Sequence, residues 1–251
     1  MTIKIGQVEA IFRYPVKSMA GESLDEADLG WHGLDGDRRL ALRKTGDRSD
    51  FPWLSATKLP DLLRFTPICR KQGTRAETPT HVRTPEGEEL AVFGDELAKE
   101  VERRHGAQVQ MMELKHGVFD EACVSVIAAD TIREIERVAG TSPDVRRFRP
   151  NLLVRLLRSG AFQEDEWVGG ILTFGEVGQG PSIGVTQRDV RCSMVNLDPD
   201  SARPSPEVLK AVVRVHDNTA GVYGTVFRRG RLAVGQTVRL LLSGEVESER
   251  D

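Results

Sequence analysis

Short apolar runs, each closed by glycine or proline, recur along this chain and restrict it to a fold assembled from many brief strands. Ile3 and Ile5, then after a change of phase Val8, Ala10 and Phe12, alternate with polar or small residues. That is the period of a half-buried strand. Tyr14-Pro15 ends the run, because proline has no N–H to give to a ladder. The same reading predicts strands at Arg38 to Leu42, Leu62 to Ile68, Glu89 to Phe93 and Val109 to Leu114. It predicts more at Ala122 to Ile127, Asn151 to Leu157, Ile171 to Phe174, Ile183 to Gln187, Tyr223 to Phe227 and Gln236 to Leu242. Three stretches carry a helical signal. Asp95 serves as N-cap for a helix to His105 with Gly106 as its stop. Thr131 to Ala139 places Ile132, Ile135, Val138 and Ala139 on one face, with Thr131 and Glu134 as a capping box and Gly140 beyond. Ser205-Pro206 opens the third, through Val215. The strand–helix alternation of a doubly wound sheet is absent. The expected class is α+β and β-rich, barrel-like, with a few short helices. Lys71 to Pro79 reads as a turn-rich connection and Gly244 to Asp251 as a polar, frayed tail.

The 251 residues are enough for roughly 1.7 domains. A boundary is placed near residue 115, giving domains 1–115 and 116–251. A net charge of -3 excludes a strongly basic protein that would hold nucleic acid by neutralising phosphates. No apolar run is long enough for a membrane span, and the N-terminus lacks a secretory pattern. Cys69, Cys123 and Cys192 are odd in number and far apart, without a Cys-x-x-Cys pair. That disfavours a zinc site or a redox dithiol and fits a reducing, cytoplasmic compartment.

Four clusters carry polar chemistry. Tyr14-Pro15-Val16-Lys17-Ser18 offers a cation and a hydroxyl where a strand ends, and Gly36-Asp37-Arg38-Arg39 offers cations where another begins. Either alone is equally a solvated turn. In Arg146-Arg147-Phe148-Arg149-Pro150-Asn151 the proline restricts Arg149 to extended geometry. Arginine presents a planar fork for phosphate or carboxylate, and Asn151 a donor and an acceptor on the edge of an apolar strand. In Asp189-Val190-Arg191-Cys192-Ser193 a thiol beside an arginine is a candidate thiolate, hence a soft metal ligand or a sulfur nucleophile. Cys69 and Cys123, among apolar neighbours, read as packing residues.

In this order the clusters resemble the MOSC superfamily, named for the C-terminal domain of molybdenum cofactor sulfurase. The likeness is greatest to members with an N-terminal β-barrel domain, such as the amidoxime-reducing components and their bacterial relatives. The run at 14–18, Asp37-Arg38, Arg147 to Asn151, Phe162 to Trp167, Arg191-Cys192, Asp198-Pro199 and Val234 to Val238 carry it. The resemblance implies a molybdenum cofactor, molybdenum on a pyranopterin dithiolene with a terminal phosphate. It implies Cys192 as the protein ligand to molybdenum and as the catalytic position. Lys17, Ser18 and Arg38 match cofactor contacts from the first domain, and Arg149, Asn151 and Arg191 match contacts from the second. Thr131 matches a hydroxyl at a helix start near the cofactor. Lys17 and two arginines suit a phosphate, as does a helix N-terminus. Two departures stand out. Ser55-Ala56-Thr57-Lys58 occupies the place of a Thr-Ala-Arg-Gln stretch, and Asp189-Val190 precedes Arg191-Cys192 where relatives often have another cysteine.

The reading is a molybdenum-dependent oxidoreductase that reduces N-hydroxylated or N-oxide-type small molecules by two electrons. The chain has no iron–sulfur cysteine spacing, so electrons would come from separate proteins. No nucleic acid and no membrane partner is expected. The alternative is a sulfur carrier or cofactor-handling protein that uses a Cys192 persulfide or thiolate. A β-barrel interaction protein with an inert Cys192 is the third reading.

Overall fold

The computed structural model describes residues 2–69, 78–141, 144–176 and 178–242. Most of the predicted connection at Lys71 to Pro79 and the tail Gly244 to Asp251 lie outside the described residues. The chain opens with β1 (Ile3–Arg13), β2 (Glu22–Leu24), β3 (Glu26–Gly30), β4 (Gly33–Leu34) and β5 (Leu40–Lys44). A three-stranded meander follows, β6 (Thr66–Ile68), β7 (His81–Arg83) and β8 (Glu89–Ala91), then α1 (Asp95–His105) and β9 (Val109–Glu113). The second half contains β10 (Val124–Ala128), α2 (Ala129–Ala139), β11 (Leu152–Leu156), β12 (Ile171–Phe174) and β13 (Ser182–Val190). It ends with α3 (Glu207–His216), β14 (Thr219–Arg228), β15 (Gly230–Ala233) and β16 (Thr237–Leu241).

Seven strands close into a barrel in the order β11-β10-β14-β13-β12-β16-β1, with β1 pairing back onto β11. Closure leaves no open edge, the usual answer of an all-β layer to unpaired backbone groups. Neighbours are antiparallel except β10 and β11, which run parallel and are joined through α2. The phase change read in β1 has a physical cause. Its register against β11 shifts between Val8 and Ala10, and that against β16 shifts between Lys4 and Gly6. Such a bulge flips the inward set. Val8 and Ile11 therefore fill the barrel, whereas Ala10 and Phe12 pack outside it against the helices.

Three apolar clusters result. The barrel interior joins Val8, Ile11, Val126, Leu152, Phe174 and Val222, among others. A second cluster, including Leu40, Leu54, Phe65, Val82, Leu97 and Met111, holds the smaller body built from residues between β5 and β9. The third seats α2 and α3 on the barrel's outer wall through Ile132, Ile135, Val208, Val212 and Leu153.

The structure corrects several local expectations. Leu62 begins no strand: Pro60–Arg64 is a 3-10 turn, and only Thr66–Ile68 pairs. Asp95 is the first residue of α1, after Gly94, and makes no side-chain cap bond. Pro206, one residue after the expected Ser205, flanks α3. No capping box forms on α2, which starts at Ala129, two residues before Thr131. The carboxylate of Glu164 comes from a distant turn instead, accepting from the Ala128 N–H at 3.3 Å and the Thr131 hydroxyl at 2.9 Å. A buried acid at a helix start interacts favourably with the helix dipole.

Candidate functional site

The loop after β1 is tied to the smaller body. Val16 bridges to Leu40, and the Lys17 N–H donates to the Leu40 carbonyl at 2.8 Å. Buried Asp37 is the hub behind this loop. It accepts from the Tyr14 N–H at 2.7 Å, from the Arg38 guanidinium and from the Asn151 side-chain amide at 3.0 Å. Arg38 also donates to the Arg149 carbonyl at 3.0 Å, which links the smaller body to the barrel. Both guanidiniums lie over the Tyr14 ring, Arg149 at 4.1 Å and Arg38 at 4.8 Å from its centre. The ring's π electrons attract each cation and keep two like charges close. Ser18, Arg38 and Arg149 all have positive φ, at 67°, 50° and 50°. Non-glycine residues held there cost of order 1–3 kcal/mol each and persist only where the surroundings enforce them. Arg149 is thus left-handed, not extended. The 3-10 turn Val145–Arg147 delivers it, and its side chain is anchored by a 2.9 Å bond to the Met19 carbonyl.

Ser18, Arg38 and Arg149 border a cavity of about 450 Å³ between the smaller body and the barrel. Lys17, Ser18 and Arg38 from the first half of the chain and Arg149, Arg191 and Cys192 from the second line it. Cys192 lies two residues after β13, at the start of a 3-10 turn, and is exposed. Lys17 pairs with Asp120 at 2.8 Å. Burial pushes the Lys17 ammonium down, and Asp120 partly offsets this. Burial would raise Asp120, but Lys17 and then Arg38 and Arg149 hold it below its ordinary value. Burial pushes Arg149 down to about 10, so it stays charged at neutral pH.

Two of the expected site residues do not reach the cavity wall. Thr131 is fully buried, its hydroxyl donating to Glu164 and accepting from the Phe162 N–H at 2.8 Å. Asn151 is a brace: its side-chain oxygen accepts from the Ser125 N–H, and its amide donates to Asp37 and the Phe12 carbonyl. Arg191 borders the cavity, yet its guanidinium is spent on the Ala220 and Phe148 carbonyls and on Asp189 at 2.9 Å. It shapes the turn carrying Cys192.

The cavity also includes groups to which the sequence assigned no role: Asp120, Ser125, Asp189 and Tyr223. Asp189 is buried, with the Ser125 hydroxyl donating to it at 3.0 Å. Desolvation pushes its carboxyl up to about 6, against the pull of Arg191. In the sequence it opened the fourth polar cluster, where no role was assigned to it. At the departure over residues 55–58, Ser55 and Thr57 line the cavity and bond to each other at 2.6 Å. Hydroxyls stand where the resemblance would place an arginine.

A bound oxyanion suits this arrangement on the structure's own terms. Arg149 Nη2 is buried and has no hydrogen-bond partner among the described residues. Lys17, Arg38 and an accessible thiol border the same cavity as Arg149. The donor set matches a phosphate-bearing group with a soft metal centre. No cluster of three or more metal-binding side chains exists among the described residues. No helix among the described residues is long and apolar enough to cross a membrane.

Comparison with known proteins agrees with this architecture. The MOSC domain family matches residues 102–239, and the MOSC N-terminal beta barrel domain family matches residues 5–125. The crystal structure of the YuaD protein from Bacillus subtilis is similar in fold, with a TM-score of 0.51 at 14% identity, covering 96% of each chain. YiiM from Geobacillus stearothermophilus aligns over 49% of this chain and 56% of its own, at 18% identity and a TM-score of 0.38. No curated protein matches the chain.

Proposed function

Since the chain belongs to the MOSC domain family, we propose that it holds a molybdenum cofactor in the cavity around Cys192. We further propose that it reduces N-hydroxylated or N-oxide-type small molecules there, with electrons from separate redox proteins. The observation that carries this reading is that Lys17, Ser18, Arg38, Arg149 and Cys192 all line one cavity. An orphaned arginine nitrogen lies among them.

The cofactor would supply the two-electron redox chemistry and oxygen exchange that protein side chains lack. The chain's own residues bind, orient and protonate. Lys17, Arg38 and Arg149 neutralise the terminal phosphate, with Asp37 and Tyr14 fixing the two arginines. Cys192 would offer its sulfur from a turn that Arg191 braces. Reduction of an N-hydroxyl to an amine consumes two electrons and two protons and releases water. Asp189, lining the same cavity and titrating near 6, is the carboxyl able to hold one of those protons. Phe51 and Val190, both exposed, flank the cavity with apolar surface for a substrate's organic body.

The exposed Cys192 thiol is also what a sulfur carrier needs. Metal analysis together with release of the oxidised pterin separates the two. Protein from a host that makes the cofactor should carry molybdenum and pterin in near-equal amounts with the chain. Labile sulfur on Cys192 without molybdenum would replace the reductase reading with the carrier one.

A further inference from the structure

We propose that a second cavity, which shares Arg149 with the first but lies away from Cys192, is a binding site for a small organic oxyanion. Its ligand would carry a phosphate or carboxylate on a compact apolar body.

This cavity measures about 460 Å³, within the range of small-molecule sites. It is bordered by the end of β1 and the loop after it, by β2, by the turn around Arg64, and by Pro199 and Asp200. Its two carboxylates are already neutralised. Glu22 accepts from Arg13 at 2.7 Å, and Asp200 takes both terminal nitrogens of Arg146 at 2.9 and 2.7 Å. The groups left over are donors. The Tyr14 side chain is 2% exposed, and its hydroxyl has no hydrogen-bond partner among the described residues. Arg149 Nη2 is in the same condition. Arg64 stands 3.7 Å from Asp61, a carboxylate that Arg104 already holds at 3.0 Å. Thr66 and Thr84 add hydroxyls to the wall, and Phe12, Leu63, Pro85 and Pro199 add apolar surface.

The Tyr14 ring cannot swing to find another partner. Arg149 and Arg38 lie over it, and Gly21 presses so close that a side chain there would meet the ring at 2.4 Å. Tyrosine therefore does something here that phenylalanine could not: it presents a fixed O–H beside a guanidinium. Two buried donors without a partner, on residues that line one cavity, are complementary to an oxyanion. An apolar rim favours an organic body over a bare ion. Lys17, Ser18, Arg38 and Cys192 do not border the second cavity, and Arg149 is the residue that the two cavities share.

The test uses full-length protein from a host unable to make molybdenum cofactor. It is titrated with phenyl phosphate, benzoate, inorganic phosphate and phenol by calorimetry, and with the tightest binder by amide NMR. Phenyl phosphate or benzoate should bind saturably and more tightly than inorganic phosphate or phenol, shifting the amides of Gly21, Ser23 and Thr84. Arg64→Ala and Tyr14→Phe should each weaken binding about fivefold, the loss of one modest hydrogen bond, with unchanged circular dichroism. Lys17→Ala should leave it unchanged. Absence of saturable binding would overturn the proposal. So would binding that survives Arg64→Ala and is lost in Lys17→Ala, because that places the anion beside Cys192.

Discussion

Replacing Asp189 with asparagine isolates the energetic cost of keeping a carboxyl buried on the cavity wall. Asp189 is raised from 3.8 to about 6, chiefly by desolvation. A carboxyl whose folded value lies above its unfolded one binds protons more readily in the native state. Stability then falls as pH rises through the interval between the two values, and levels off above the higher one. The interval of about 2 pH units corresponds to roughly 3 kcal/mol, of which about 2 kcal/mol falls between about pH 4.5 and about pH 7. Asparagine retains the bond from Ser125 but does not titrate. It also gives up the ion pair with Arg191, a loss felt most at high pH, where the wild-type carboxyl is charged. The prediction concerns the difference between the two proteins, since every other carboxyl is common to both. Urea unfolding of cofactor-free protein, followed by tryptophan fluorescence across this range, measures it. The stability of wild type minus that of Asp189→Asn should decline by about 2 kcal/mol as pH rises over the window. A difference that is flat with pH, or that grows, would refute the claim that desolvation outweighs Arg191 at this site.

Three further outcomes test the remaining assignments. Cys192→Ser should abolish molybdenum retention while leaving the Tm of cofactor-free protein within error, since the side chain is exposed; a large drop in Tm would mark Cys192 as a packing residue. Asp37→Ala strands the Arg38 guanidinium, the Tyr14 N–H and the Asn151 amide around a buried vacancy. It should cost about 3–5 kcal/mol in urea unfolding, the range for breaking a buried pair. Thr131→Val removes a donor to Glu164 and an acceptor for Phe162. It should cost about 1–3 kcal/mol of stability yet leave molybdenum content unchanged, and loss of cofactor from a stably folded variant would restore a cofactor contact to Thr131.

Local pattern revealed much of this protein. From β9 onward every strand but β15 was legible within a few residues, because alternation and glycine punctuation act through the backbone alone. The phase change in β1 was legible too, although which residues it turned outward was not. Helix starts were misread where the capping group is distant in sequence, as with Glu164 and α2. The chemical types at Lys17, Ser18, Arg38, Arg149 and Cys192 pointed to a shared site, and the fold brings them to one cavity. Thr131, Asn151 and Arg191 carry equally polar side chains, and nothing in their neighbours marks them as braces.

The sequence by itself determined a β-rich chain with cations and a thiol at strand ends, since those properties depend on neighbours a few residues apart. Only tertiary structure decided which polar groups face the cavity. Buried polar groups must find partners, and here the partners are remote. Asn151 meets Asp37 across 114 positions, Ser125 meets Asp189 across 64, and Arg38 meets the Arg149 carbonyl across 111. Barrel closure by β1 brings those positions together. The same closure leaves Arg149 and Tyr14 each with a donor that no described residue satisfies.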